Sequence, residues 1–310
     1  MLEQFAKTVV SFTGLEGALA DSLEFFIADT IQVTLLLIIA IFFVSLFRTF
    51  VTKERIRKIL GGKKEGVGNI LAALLGIPTP FCSCSAVPLF IGFVESGVPL
   101  GVTFSFLVAS PMINEIAAVL LWSLFGWEIM LLYIFTGLLI AVIAGIIIGR
   151  LGLEGEIQDF AKVQFHQVAE YKSWKQRFLF AKYEVKRIVK GVFVYIIIGV
   201  GVGSLIHGFV PQDFFLEIAG PDNILAVPFA VIAGIPLYSN AAGTIPIIEA
   251  LVSKGMSIGT ALALMMSITA ISFPELILLK KVLKPKLLGI FVVILFVSFV
   301  ITGLLYNILI

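Results

Sequence analysis

The segments GIPTPFCSCSAVP at residues 76–88 and GIPLYSNAAGTIP at residues 234–246 decide how this chain folds. Each opens on Gly-Ile-Pro and closes on a proline ten residues past the first, and the two stand 158 residues apart. The correspondence extends at the same spacing to Gly97 with Gly255 and to Gly101 with Gly259. After a small shift it also pairs Asn69-Ile70-Leu71 with Asn223-Ile224-Leu225. The chain reads as a duplicated unit whose copies differ chemically, because Asn240 and Ala242 stand where the first copy has Cys82 and Cys84.

Both segments lie inside long apolar stretches. Of the 310 residues 59% are hydrophobic and 14% charged, and the mean hydropathy is +1.10, values that belong to a protein whose solvent is a bilayer. A net charge of +2 offers no basic field for nucleic acid, and no polar stretch is long enough for a soluble catalytic domain. Residues 1–25 have no basic region ahead of an apolar run, so the first membrane helix is expected to direct insertion. Apolar runs fall at 26–47, 67–95, 100–123, 127–149, 190–210, 222–250, 255–279 and 287–308. A helical crossing takes about 20 residues, so six of these read as ordinary spans. The runs 67–95 and 222–250 are longer and are broken by Pro78, Pro80 and Pro236, which remove helix donors and clash with the preceding turn.

Charge decides what the broken runs do. Seven Lys and Arg residues lie between Arg48 and Lys64, nine between Arg150 and Lys190, and four between Lys280 and Lys286. Short basic loops stay cytoplasmic, yet three apolar runs separate each cluster from the next, and three crossings would put neighbours on opposite sides. The conflict vanishes if 67–95 and 222–250 are re-entrant helical hairpins, each arm of about 10–12 residues reaching roughly the bilayer midplane. The expected fold is thus all-α and polytopic, with six full spans, two opposed hairpins and both termini outside. Residues 1–150 form the first repeat, 151–190 a basic amphipathic cytoplasmic linker, and 191–310 the second, inverted repeat. Inverted repeats with broken helices at the midplane are the architecture of secondary transporters. Irregular backbone at that depth must be buried or must line a wet cavity, so a cavity is expected between the two tips.

Thr79, Cys82, Ser83, Cys84 and Ser85 surround the first tip, and Ser239 and Asn240 the second. The first tip leads into a half-helix whose free N–H groups favour an anion or a lone-pair donor. Thiolates prefer soft metals and metalloids, so a Cys-x-Cys pair at the break suits two-point contact with a thiophilic solute. The same two cysteines also fit small buried hydrophobes. Glu115, after Asn114, and Glu275, after Pro274, lie within apolar runs and align if two residues are inserted in the second copy. Carboxylates at depth suit ion or proton coupling, unless they sit at the boundary and are simply solvated. Glu249 reads as mouth-lining, and Trp122 and Trp127 as interfacial anchors about an outer turn. His166 and His207 have no neighbours at metal-ligand spacing, and GGKKEG at 61–66 lacks the spacing of a nucleotide loop, so no metal, cofactor or direct use of ATP is expected.

The pieces TPFCSCS at 79–85, VPLFIGFVESGVPLG at 87–101, ASPMINE at 109–115 and GIPLYSNAAGTIP at 234–246 resemble the ArsP/YraQ-type predicted permease family, and the likeness covers nearly the whole chain. The resemblance implies an efflux permease of the inner membrane for a trivalent organoarsenical or a related metalloid or sulfur species, with Cys82 and Cys84 as thiol contacts. A channel and a membrane thiol oxidoreductase are the other classes. The first would show flux without saturation, and the second normally needs a Cys-x-x-Cys pair and a resolving thiol that the chain lacks.

Overall fold

A computed structural model describes residues 2–11, 17–48, 66–77, 83–95, 97–113, 115–158, 173–209, 225–237, 241–253 and 255–310. Two compact units divide the chain, one of Met1–Ile39, Arg187–Pro274 and Phe299–Ile310, the other of Ala40–Lys186 and Glu275–Ser298.

Apolar runs without strand-like alternation must satisfy their own backbone, and the described residues are accordingly mostly helical. The helices of the first half are α1 (Leu2–Ser11), α2 (Ala18–Arg48), α3 (Val67–Gly76), α4 (Ser83–Glu95), α5 (Leu100–Met112), α6 (Glu115–Phe125) and α7 (Trp127–Arg150). The second half has α8 (Trp174–Phe209), α9 (Ala226–Gly234), α10 (Ala241–Ser253), α11 (Ile258–Ala270), α12 (Phe273–Lys280) and α13 (Pro285–Leu309). The first residues of α4, α5, α6 and α7 lie 158 positions before those of α10, α11, α12 and α13, so the duplication seen in sequence is also one of element boundaries.

Both proline-broken runs are helix pairs, α3 with α4 and α9 with α10. Two runs expected to be single spans are broken as well. The run 100–123 divides after Met112 and bends by 48°, and the run 255–279 divides at 271–272. Proline accounts for the second, since Pro274 in the first turn of α12 cannot continue a preceding helix, while Pro111 stands inside the last turn of α5, which runs on past it to Met112. Among the described residues three helices are long and apolar enough to cross a membrane, namely α7, α13 and α11 with α12 taken together, or four if α5 with α6 is taken as one span. The amphipathic linker and the following span share one helix, since α8 runs unbroken from Trp174 through residue 190 to Phe209. Its first half exposes Trp174, Phe178, Leu179 and Tyr183.

Burial separates the helices by role. Every residue of α5 is buried, as is α11 from Gly259 to Ala270. By contrast α7 exposes Phe135, Leu139, Ile143 and Ile147, and α13 exposes Val293, Val297, Ile301 and Leu305, matching stripes 158 residues apart that suit contact with lipid. The broken helices are the core of each copy and the long unbroken ones its flank.

Close backbone approach holds core to flank. A Cβ built on Gly101 would collide with the Gly145 carbonyl and lie 2.9 Å from Gly149 Cα; one built on Gly259 would collide with the Gly303 carbonyl and lie 2.7 Å from Asn307 N. These are the small-residue crossings by which membrane helices associate in the absence of a hydrophobic force. The turns into both core helices also repeat. Gly97 N–H bonds to Val94 O and Val98 N–H to Phe93 O, each at 3.0 Å, and Gly255 with Val252 and Met256 with Leu251 do the same. Gly97 and Gly255 have φ of 77° and 105°, which a side chain would disfavour.

Candidate functional site

Contacts along α5 give the direction of its neighbours. Asn69, near the start of α3, donates from Nδ2 to Ser105 Oγ at 2.9 Å, and Gly76, at its end, packs against Ala109 and Ser110. So α3 runs parallel to α5 and ends at the depth where α5 breaks. α4 ends five residues before α5 begins. The second copy repeats this. Val227 and Ala263 both face Gly303, while Gly234 packs against Ser267 and Leu264, so α9 parallels α11. The end of this hairpin arm is bonded to the break itself, Phe273 N–H donating to Ile235 O at 2.7 Å.

Local chemistry explains why polar groups gather there. At the end of α9 the chain tightens, with Ile235 N–H bonding to Ile232 O, and Ser267 Oγ instead donates to Val231 O at 2.6 Å. At the end of α5 Tyr133 Oη donates to Met112 O at 3.1 Å. Helix ends leave carbonyls without helical donors, and in an apolar interior side chains must supply them. Buried hydroxyls therefore cluster about the breaks: Ser110 in the first copy, and Ser267, Thr269 and Ser272 in the second. Sequence reading passed over Ser267, Thr269, Ser272 and Tyr133; the signal for the serines and threonine was a run of hydroxyls, SITAIS at 267–272, directly before Phe273-Pro274.

Of the expected site residues, Glu275 and Pro236 are fully described. Glu275 is 1% exposed, so the alternative of a solvated boundary carboxylate does not apply to it. It lies in the first turn of α12, where the helix dipole favours negative charge, and Ser272-x-x-Glu275 has the spacing of a capping box. Pro236 follows the bonded Ile235. Backbone alone is described for Ser83, Cys84 and Ser85, in the first turn of α4, and for Glu115, the first residue of α6. Pro78, Thr79, Pro80, Cys82, Asn114, Ser239 and Asn240 lie outside the described residues. Glu249 is exposed on α10, and Trp122 and Trp127 are exposed on either side of the turn at Gly126.

Two sequence pairings give way. Because α5, α6, α11 and α12 keep one spacing of 158 across both breaks, no insertion separates the copies there: Glu115 corresponds to Phe273, and Glu275 to Ala117. Likewise the partner of Asn69 is Val227, since a Cβ on Gly145 would meet Asn69 where one on Gly303 meets Val227. The Asn-Ile-Leu match is one of identity and not of position.

Arg150 and Lys280 are brought to one end. Ile157, past the end of α7, forms an antiparallel bridge with Leu283, between α12 and α13, flanked by Gln158 N–H to Val282 O and Lys284 N–H to Glu156 O, each at 2.8 Å. Lys284 Nζ adds a bond to Gly155 O at 2.9 Å.

The profile of a family described as predicted permease matches residues 18–308. A protein of Streptococcus mutans, named as a two-component membrane permease complex subunit, is 26% identical over 67% of this chain and 69% of its own. UPF0718 proteins of Methanocaldococcus jannaschii and Escherichia coli, the latter YraQ, are each 24% identical, over 76% and 84% of this chain and 80% and 73% of theirs. No solved structure matches.

Proposed function

Since the chain belongs to this predicted permease family, we propose that it is a secondary transporter that exports a small thiophilic solute, a trivalent organoarsenical or a related metalloid or sulfur species, by alternating access. The observation that carries this reading is the meeting of hairpin end and helix break, Gly76 on Ser110 in one copy and Ile235 on Phe273 in the other. Two interruptions of helix at one depth concentrate backbone dipoles and hydroxyls inside an apolar protein, which is how transporters of this kind build a midplane site. The bridge between Ile157 and Leu283 supports the re-entrant topology. It puts the ends of α7 and α12 on one side, and three runs lie between them, so one of the three returns without crossing. Since α11 with α12 is long enough to cross as one span, the run 222–250 is the natural one, and the first hairpin is its counterpart.

In this reading Cys82 and Cys84 contact the solute, with Thr79, Ser83 and Ser85 beside them. Ser239 and Asn240 form the second tip, and Glu275 and Glu115, with Asn114, carry the coupling ion. The basic loops face the cytoplasm and both termini lie outside. The name of the Streptococcus relative extends the proposal to a partner membrane subunit. The test is transport of a trivalent organoarsenical into everted membrane vesicles. Cys82→Ser with Cys84→Ser is expected to weaken affinity about ten-fold or more, the factor that a lost contact of about 1.4 kcal/mol already produces. Unchanged affinity removes the thiols from the site. Glu275→Gln is expected to abolish dependence on the pH gradient, and its persistence removes that carboxylate from coupling.

A further inference from the structure

The first half of α8 carries a row of lysines on the face that it turns outward. Lys175, Lys182, Lys186 and Lys190 are exposed, and they follow one another at helical spacing over about 22 Å of helix. Exposed beside them are Trp174, Phe178, Leu179 and Tyr183. Past Lys190 the same row continues as Phe193 and Ile197, exposed and apolar. The remaining side packs on protein, with Ala181 and Glu184 buried, and at its edge the Phe178 ring meets Phe42 of α2, centroid to centroid at 5.7 Å. Glu184 is the only carboxylate in α8, so the outward face is basic with no acidic residue on it.

Large apolar side chains in open water are costly, and a surface that takes them together with interleaved lysines is the headgroup layer of an anionic bilayer. Lysine stems lie along its apolar boundary while their ammonium groups reach the phosphates. Continuity of the row favours this occupant. Phe193 and Ile197 suit acyl chains, and the lysines follow from them toward the headgroups without leaving the face. Arg177, with Cζ 5.9 Å from the Trp174 ring centroid, adds positive charge at the outermost turn. Length favours it as well. The 36 residues of α8 make about 54 Å of helix, more than the roughly 40–45 Å of a whole bilayer, and a helix that leans to fit lays its outward face on the headgroups. The architecture does not require these lysines, because 158 residues earlier stand Gly17, Glu24, Ala28 and Gln32.

We infer that this face docks on the bilayer surface at the side of the basic loops and binds anionic phospholipid headgroups. Lys175, Lys182, Lys186 and Lys190 contact the phosphates, and Trp174, Leu179 and Tyr183 sit among them. The inference holds whatever solute the protein carries. The chain has three tryptophans, and Trp122→Phe with Trp127→Phe leaves Trp174 as the sole indole. This full-length protein is placed in phosphatidylcholine vesicles that contain a brominated lipid, either phosphatidylglycerol or phosphatidylcholine, with the bromine near the headgroup end of the chains. Brominated phosphatidylglycerol should quench Trp174 at about a five-fold lower mole fraction, the factor that a single lysine held at an anionic surface supplies. Changing all four lysines to Gln should make the two lipids equal. Equal quenching in the protein that keeps its lysines, or a preference that survives their replacement, overturns the inference. So does the absence of quenching by either lipid, which places the face away from the bilayer, and a dimer in detergent would then assign it to a second copy.

Discussion

The two copies share one helix crossing and fasten it at different places. In the first, Asn69 and Ser105 join α3 to α5 near the start of α3, and Ser105 Oγ reaches on to Gly101 O at 3.3 Å. In the second those places are Val227 and Ala263, both apolar. There α9 is tied at its far end, by Ser267 to Val231 and Phe273 to Ile235, and α13 is tied to α11 by Asn307 Nδ2 donating to Thr260 Oγ1 at 3.1 Å. Asn307 itself occupies the place of Gly149. Constant between the copies are Gly101 with Gly145 and Gly259 with Gly303. Backbone contact at the glycines specifies the architecture, and the polar bonds are fasteners that can move without changing it. Such freedom lets the two copies differ in sequence while sharing one crossing.

The largest expected effect follows directly. Gly101→Val and Gly259→Val each force a branched side chain onto a facing backbone that has no flexible end to yield, and overpacking of this kind costs about 3 kcal/mol or more. Both variants should fail to give a monodisperse protein in detergent, or should melt far below the parent. If Gly101→Val is lethal to the fold and Gly259→Val is not, the copies are not packed alike and the comparison breaks.

Much of this duplication was legible in sequence because its marks are the residues with the strongest backbone preferences. Proline and glycine at Pro78, Pro236, Gly97 and Gly255 announce the breaks and turns whatever surrounds them, and long apolar runs leave the backbone no choice but helix. The crossing glycines Gly145 and Gly303 were harder to see: among 28 glycines in an apolar chain a single one carries little information, and only the shared spacing of 158 singles this pair out. The breaks after Met112 and Ala270 were missed because hydropathy runs on through them. The pairings of Asn69 with Asn223 and Glu115 with Glu275 failed for a related reason. Like side chains were matched where the fold matches packing, and a polar fastener can sit at a different level in each copy.

Ser267 sharpens the comparison at intermediate size. Its counterpart in the first copy is Ala109, so Ser267→Ala makes the second copy resemble the first. The change removes a 2.6 Å donor from Val231 O, a carbonyl that Ile235 N–H does not serve, and leaves a buried acceptor short of a bond. The expected loss is about 1–2 kcal/mol. Thermal unfolding in detergent reads it, and Ala109→Ser is the reciprocal variant. An unchanged melting temperature for Ser267→Ala would mean that the end of α9 is held by the Phe273 bond alone.

The smallest effect is also the cleanest test of movable fasteners. Asn69→Val with Ser105→Ala installs in the first copy the pair that the second copy already has, Val227 and Ala263. Ser105→Ala alone takes the acceptor from a buried amide and should cost the most of the three. Asn69→Val alone leaves Ser105 its bond to Gly101 O and should cost less. The double variant removes donor and acceptor together and should lie closest to the parent, with a coupling energy of about 0.6 kcal/mol, the usual size for such pairs in a bilayer, and about 1.7 at most. Additive losses would show that Asn69 serves the entry of α3 by itself, through Gly66 N–H donating to its Oδ1 at 3.3 Å, and that the first copy cannot be refastened in the manner of the second.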